Sequence, residues 1–219
     1  MRINKNLTNL QPGITFRLVL IRHGEPEAAS RGKCYGKLDV KLSKRGRREI
    51  VRAAKWLESI HKNGAPIDRI YTSSRARTKE SAQILADRLG LRSGIIVDQR
   101  LSEMNFGEFE GLTYAQVSER YPDEYRLWME CPTEVHFPGG ESFKVMQARV
   151  KDAVNEICAY AISTTAVIIA HGGVSRIVLS DVLRMPAEAL FRLDQGYASI
   201  NIIDYFGVTP LVRLVNMTV

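Results

Sequence analysis

Cysteine is scarce in this chain and never spaced for pairing: Cys34, Cys131 and Cys158 are odd in number and form no CxxC. Neither a disulfide framework nor a zinc knuckle is indicated, no metal site is expected, and a reducing, cytoplasmic compartment fits that usage. Long apolar runs are missing too. None approaches the ~18 residues of a membrane span, and Met1 to Pro12 has no apolar core of a secretory signal. Acidic residues are outnumbered, 24 against 31 Lys and Arg, for a formal charge of +7. Polyanions are therefore attracted non-specifically at low salt. The basic residues are nonetheless scattered, densest only from Lys41 to Arg52, which reads as a solvated helix face. No specific nucleic-acid partner is expected, because no basic stripe with interleaved aromatics occurs.

What the chain does have is ordinary globular material, 45% hydrophobic and 25% charged over 219 residues, enough for one sizeable core. We read residues 1–15 as a flexible N-terminal extension and 16–219 as a single domain, with a cap-like insertion at about 112–138. Phe16 to Ile21 is a short aliphatic run that predicts a buried strand, stopping at Arg22-His23-Gly24. Ser43 then offers an N-cap, and Ile50, Val51, Ala54, Leu57 and Ile60 recur at helical spacing until Asn63-Gly64. A strand at Ile67 to Thr72 precedes a helix through Ala82, Leu85, Ala86 and Leu89, closed by Gly90. Ile95 to Asp98 is a third strand, Leu101 to Leu112 a loop, and Tyr114 to Met129 holds shorter helices. Beyond Ser142 a long amphipathic pattern (Phe143, Met146, Val150, Ala153, Val154, Ile157, Ala161) leads into the apolar strand Ala166 to Ala170. A helix over Val174 to Leu183 and strands at Ser199 to Tyr205 and Leu211 to Asn216 complete the chain.

Alternating strands and helices predict an α/β fold: three layers, α/β/α, with a mostly parallel central sheet, helices on both faces and a small cap over the C-terminal ends of the strands. Such sheets bind ligands beyond those ends. The polar residues of interest fall there. His23 follows the first strand, Ser73 and Arg77 the second, Glu103 the third and His171 the fourth.

Only four histidines occur, and two of them, His23 and His171, stand directly after apolar strands and directly before glycine. One histidine at a strand end is usually a structural hydrogen-bonder; two, one of them beside Arg22, point to a site. Gly24 and Gly172 let backbone approach a ligand, or serve tight turns. Imidazole, guanidinium and bare backbone together suit a phosphoryl group, since Arg offers planar bidentate donors and imidazole can attack phosphorus. His61 and His136 lack that context and read as surface or loop residues.

Five ordered segments carry a resemblance. Leu20-Ile21-Arg22-His23-Gly24-Glu25 comes first, then Tyr71-Thr72-Ser73 with Arg77 and Ser81-Ala82. Leu101-Ser102-Glu103 with Phe106-Gly107-Glu108 and Glu110-Gly111 follows, then Pro138-Gly139-Gly140-Glu141-Ser142, and last Ala170-His171-Gly172-Gly173. Together, over roughly Leu18 to Tyr205, they resemble the histidine phosphatase superfamily, the phosphoglycerate-mutase-like proteins. The resemblance implies His23 as nucleophile, with Arg22, Arg77 and His171 binding the phosphoryl oxygens and Glu103 as proton donor. It implies no cofactor and no metal, and a small phosphorylated metabolite as partner. Gly24, Gly172 and Tyr35 are further expected substrate contacts. Arg77 is preferred to Arg75 for its offset of four from Ser81, which leaves Arg75 as a neighbouring surface residue. The chain departs from the family at Ala29, where many members carry asparagine, and at Ser74-Arg75, where a proline or acid precedes leucine.

Mutases of the superfamily carry an Arg-Tyr-Gly element and a longer insertion after the glutamate; this short chain has Met104-Asn105-Phe106-Gly107. Hydrolysis is therefore expected over mutase action. Gly32 to Val40 with Met104 to Gly111 looks most like the α-ribazole phosphatase branch, and sugar-phosphate phosphatases share that texture. Cys34 and Tyr35 either pack that loop or touch substrate. Selectivity is assigned to Tyr114 to Phe137, with Tyr121, Tyr125, Trp128 and His136, or else these aromatics only pack a small cap. A mutase and a catalytically silent phospholigand-binding module are the alternative functions. A homodimer is one admissible assembly.

Overall fold

The computed structural model describes residues 10–30, 32–62, 66–91, 94–160 and 164–219. Most of the expected N-terminal extension, the Asn63-Gly64 helix stop, Ala161 and the side chain of Ala29 lie outside the described residues.

Six strands form one sheet: β1 Phe16–Arg22, β2 Ile67–Thr72, β3 Ile95–Val97, β4 Thr165–Ala170, β5 Ile200–Phe206 and β6 Thr209–Met217. Their order is β3-β2-β4-β1-β5-β6. The first four run parallel, and β5 and β6 add antiparallel strands at one side. The helices are α1 Lys44–Lys62, α2 Ala76–Leu89, α3 Tyr114–Arg120, α4 Pro122–Glu130, α5 Phe143–Tyr160 and α6 Gly172–Val182. Two signals read from sequence have clear physical counterparts. Ser43 Oγ accepts from Gly46 N at 2.9 Å to cap α1, and Gly90 ends α2 at a φ of 72°.

Side chains alternate across β1 because successive residues of a strand point to opposite faces. Val19 and Ile21 pack with Ile50, Leu57 and Leu85 of α1 and α2. Leu18 and Leu20 pack on the other face with Met146, Val150 and Ile177 of α5 and α6. Both faces are thus covered, which explains why these strands read as continuous apolar runs. The expected three-layer arrangement is the one observed. Short 3-10 turns at Gln99–Leu101 and Gly107–Phe109 lie near or within the expected Leu101 to Leu112 loop, and a third, Ala187–Arg192, went unanticipated. Among the described residues no helix is long and apolar enough to cross a membrane.

At the end of the sheet away from the site, Arg17 of β1 faces Asp204 of β5 in register. Arg17 Nε and Nη2 donate to the two carboxylate oxygens at 2.6 and 3.0 Å, with neither side chain exposed. Arg213 Nε of β6 adds a contact to Asp204 at 2.9 Å.

The sheet order positions the chemistry. β2, β4 and β1 are adjacent and parallel, with Arg22 opposite Ala170 and Thr72 opposite Ile169. The residues that follow these ends, Ser73, His171 and His23, therefore emerge side by side although they are distant in sequence. His23 N donates to Ala170 O at 3.0 Å, extending the ladder into the site.

Candidate active site

His23 is 2% exposed, and its Nδ1 lies 2.8 Å from Gly24 O. A carbonyl oxygen only accepts, so Nδ1 carries the ring proton and Nε2 keeps its lone pair. Burial, reinforced by the charges of Arg77 and Arg22, holds the imidazole well below its ordinary pKa of 6.5. The ring is neutral and nucleophilic at neutral pH. Gly24 has a different reason for its missing side chain than ligand approach, since a Cβ there would sit 2.3 Å from Gly46 O of α1.

Two guanidinium groups accompany the imidazole. Arg22 Nη1 donates to Gln195 O at 2.5 Å, its plane lies 4.1 Å from the Tyr197 ring centroid, and its Nε is buried without a hydrogen-bond partner. Arg77, fully buried in the first turn of α2, donates to Leu38 O at 2.9 Å, Gly36 O at 3.0 Å and Tyr35 O at 3.1 Å, and its Nε is likewise unpartnered. The loop supplying those carbonyls is held by Glu110, whose carboxylate accepts from the backbone N–H of Gly36, Lys37 and Leu38 at 2.6 to 3.0 Å. Among the described residues neither arginine has an ion-pair partner. Two guanidinium groups without a contact ion pair beside a neutral imidazole make a site for an anion.

His171 is fully buried, its ring centroid 5.3 Å from that of His23 at an interplanar angle of 68°. Its Nε2 lies 2.8 Å from Ser73 Oγ, which lies 2.7 Å from Thr78 Oγ1. Nδ1 is buried and has no partner. Burial first, then Arg77, His23, Arg22 and Arg75, hold this imidazole well below its ordinary pKa as well. For Nδ1 to donate, Nε2 must accept. Ser73 then gives its proton to His171, and Thr78 Oγ1, within reach of Ser73 Oγ at 2.7 Å, Arg75 O at 2.9 Å and Ser73 O at 3.1 Å, shares its single proton among those acceptors.

Glu103 is partly exposed and aimed by backbone on two sides. Oε2 accepts from Gly173 N at 3.2 Å and Oε1 from Met104 N at 3.1 Å. A Cβ at Gly173 would lie 2.3 Å from Oε1, so only glycine leaves room for the carboxylate. The segment itself is fastened by Arg149 of α5. Its Nη1 donates to Arg100 O at 2.7 Å and Ser102 O at 2.6 Å, and its Nη2 to Glu103 O at 3.1 Å and Glu141 Oε1 at 2.5 Å.

Arg22, His23, Tyr35, Arg77 and Glu103 open onto one cavity of about 150 Å³, with Lys33 and Cys34 beside them. His171, Gly24 and Gly172 are not among the residues that line it. Tyr35 Oη meets Tyr197 Oη at 2.8 Å, and the residue forms part of the cavity wall. One expectation needs correction, and of the two readings of the cap aromatics packing holds for Tyr121 and Tyr125. Arg75 is no free surface residue; it is half-buried, its Nε unpartnered, and its charge reaches His171. Tyr121 donates to Glu108 Oε2 at 2.8 Å and packs on Phe109, and Tyr125 packs against the core, so neither lines the cavity. His136 is exposed and bridges to Ser142 through backbone. Trp128 does pack against Phe106 and Phe137, and it also lines a neighbouring cavity. His61 has a purely structural contact, accepting from Ile67 N at 2.9 Å. Sequence reasoning named Ser73 and Gly173 without giving them work, and missed Arg149 and Tyr197. Arg149 carries no sequence signal, because an arginine on an amphipathic helix ordinarily faces water.

Comparison with known proteins shows the family. Residues 18–218 match the family described as Histidine phosphatase superfamily (branch 1). "Phosphoserine phosphatase 1" of Hydrogenobacter thermophilus is 30% identical over 92% of this chain and 92% of its own length. "Adenosylcobalamin/alpha-ribazole phosphatase" of Salmonella typhimurium is 28% identical over 90% of this chain and 96% of its own. The chain spans 55% of the length of the "Bifunctional protein Rv2228c" of Mycobacterium tuberculosis, to which it is 31% identical over 94% of its own residues. The solved structure "Bacillus stearothermophilus YhfR" superposes with a TM-score of 0.82 at 28% identity, covering 91% of this chain and 96% of that one. The chain belongs to the histidine phosphatase superfamily.

Proposed function

We propose that this chain is a phosphomonoesterase of the cytoplasm, a single domain over 16–219 with its cap at about 112–138, working through phosphorylation of His23. The observation that carries the reading is the buried imidazole of His23, its Nδ1 committed to Gly24, lining one cavity with Arg22 and Arg77, whose buried Nε atoms have no partner, and with Glu103.

In the first step His23 Nε2 attacks phosphorus in line, forming the N–P bond as the ester P–O bond breaks. Glu103, protonated, gives its proton to the departing alkoxide. Arg22, Arg77 and the Nδ1–H of His171 hold the equatorial oxygens, so charge stabilisation comes from groups already aimed before substrate arrives. In the second step water attacks phosphorus, Glu103 as carboxylate takes its proton, and the N–P bond breaks to release phosphate and free His23. Tyr35, in the cavity wall, borders the substrate. The substrate is a small phosphorylated metabolite, and relatives named for phosphoserine and for α-ribazole support that class; α-ribazole 5'-phosphate and sugar phosphates are the leading candidates.

The test is phosphate release from a chromogenic ester in EDTA. Metal-independent turnover that disappears in His23→Ala supports the reading. No release from any ester, or phosphoryl transfer between phosphoglycerates in its place, overturns it.

A further inference from the structure

The guanidinium groups of Arg22 and Arg77 each turn a face to a tyrosine. Arg22 Cζ lies 4.1 Å from the ring centroid of Tyr197, and Arg77 Cζ lies 5.2 Å from that of Tyr35. The two rings are joined, because Tyr35 Oη and Tyr197 Oη meet at 2.8 Å. Tyr197 also stands beside the nucleophile, its centroid 5.8 Å from that of His23. Residues distant in sequence thus form one continuous arrangement, arginine, tyrosine, tyrosine, arginine.

Contact through the face has a chemical consequence. A guanidinium donates hydrogen bonds in its own plane, so a ring stacked on the face leaves the N–H edge free for oxygen. Both Nε atoms are without a partner. A carboxylate would orient the group as firmly, but it would occupy those donors and cancel the charge. A neutral aromatic face does neither. Burial and the bond to Tyr197 raise the Tyr35 phenol above its ordinary pKa, which keeps that hydroxyl protonated and uncharged.

The backbone carries each ring to its arginine. Ala198 N donates to His23 O and Arg22 N to Ser199 O, both at 3.1 Å, so Tyr197 belongs to a segment bonded to the end of β1. Tyr35 belongs to the loop whose carbonyls Arg77 holds. Tyr197 is half-buried and borders a separate cavity of about 260 Å³ with Arg45 and Glu49. Space on that side leaves the hydroxyl contact to hold the ring against Arg22.

We propose, resting on the phosphomonoesterase reading, that Tyr35 and Tyr197 are coupled positioning residues, fixing the planes of Arg77 and Arg22 for one oxyanion without neutralising either charge.

Calorimetry with inorganic phosphate, a probe that needs no turnover, tests the pair on the intact chain. Tyr35→Phe and Tyr197→Phe remove the same hydrogen bond, and each should weaken phosphate about fivefold, the worth of one such bond. The double variant should match either single within about twofold, because the second hydroxyl has nothing left to bond. Tyr197→Leu, which removes the ring as well, should weaken phosphate about thirtyfold, the size of a desolvated cation–π contact; the ring kept in Tyr197→Phe recovers the difference. In turnover, kcat/KM of Tyr197→Phe should fall by the same factor for an alkyl phosphate and for 4-nitrophenyl phosphate, since both present the same phosphoryl oxygens. Hydroxyl effects that multiply in the double variant, or unchanged phosphate affinity in Tyr197→Leu, overturn the proposal. A loss confined to one ester also overturns it, by making the tyrosines contacts of the leaving group. Coupled loss of phosphate affinity without release of phosphate from any ester upholds the pair and removes the phosphatase reading alone.

Discussion

Ser73 Oγ and His171 Nε2, 98 residues apart in sequence, meet at 2.8 Å beneath the candidate phosphoryl site. Their contact decides which edge of the His171 ring is left to act, because an imidazole nitrogen already bonded to a hydroxyl leaves only its partner for an anion. Removing the hydroxyl in Ser73→Ala should lower kcat by about tenfold to a hundredfold, the loss of one buried hydrogen bond of ~1–3 kcal/mol. Ser73→Thr, which keeps a hydroxyl, should restore much of it. Nitrogen NMR of His171 provides a readout that a merely structural role would not move: the Nε2 shift should change in Ser73→Ala. An unaltered shift with unaltered kcat would remove the relay from the mechanism.

Glu103→Gln keeps the shape but only one of the two backbone contacts, since its amide nitrogen cannot accept, and it cannot exchange a proton. For an alkyl phosphate, kcat should fall about 10²–10⁴-fold, the usual worth of general acid catalysis. For 4-nitrophenyl phosphate, whose leaving group departs without help, the loss should be much smaller in the phosphorylation step. Arg149→Met, by loosening the Glu103 segment, should repeat that pattern at reduced size. Equal losses for both esters would deny Glu103 the role of acid.

Both buried imidazoles titrate below 6.5 in the folded chain, whereas unfolded histidine titrates near 6.5. As pH falls through that value the unfolded chain binds protons that the folded chain refuses, so unfolding is favoured. The Tm should therefore be level above about pH 7 and decline as pH drops below 6.5, with a shallower decline in the His23→Gln/His171→Gln double variant. The acid limb of kcat/KM should likewise fall below the ordinary histidine range. A limb centred at 6.5 would show that burial and the arginines do not govern the nucleophile.

Asp204 tests stability apart from chemistry. It takes Arg17 and Arg213 at the far end of β1 and β5, and Asp204→Ala removes the carboxylate that both Arg17 nitrogens reach inside the core. Urea unfolding should show a loss of about 3–5 kcal/mol, while the folded enzyme keeps its kcat/KM. A loss within the range of an exposed pair, below about 1 kcal/mol, would contradict the burial argument.

Much of this was legible in the chain because its signals are local. Continuous apolar runs marked strands covered on both faces, and Arg22-His23 and His171 stood at their ends. What stayed hidden depends on contacts across the fold. Arg149 looks like any solvent-facing helix residue until the backbone of 100–103 arrives beside it. Arg75 reads as a surface arginine until α2 docks at the end of β2. Tyr121, Tyr125 and Trp128 are equally aromatic in sequence, yet only Trp128 turns toward the cavities, and nothing local distinguishes the three. Gly173 was visible within its motif, but its need for a bare backbone appears only with Glu103 at 2.3 Å from where a Cβ would be.

The most direct measurement is rapid quenching of the chain with a radiolabelled phosphate ester, followed by mapping of the trapped label. The account predicts acid-labile, base-stable phosphate on His23, formed within one turnover and absent in His23→Ala. Label on any other residue, or full hydrolysis by His23→Ala, would contradict it.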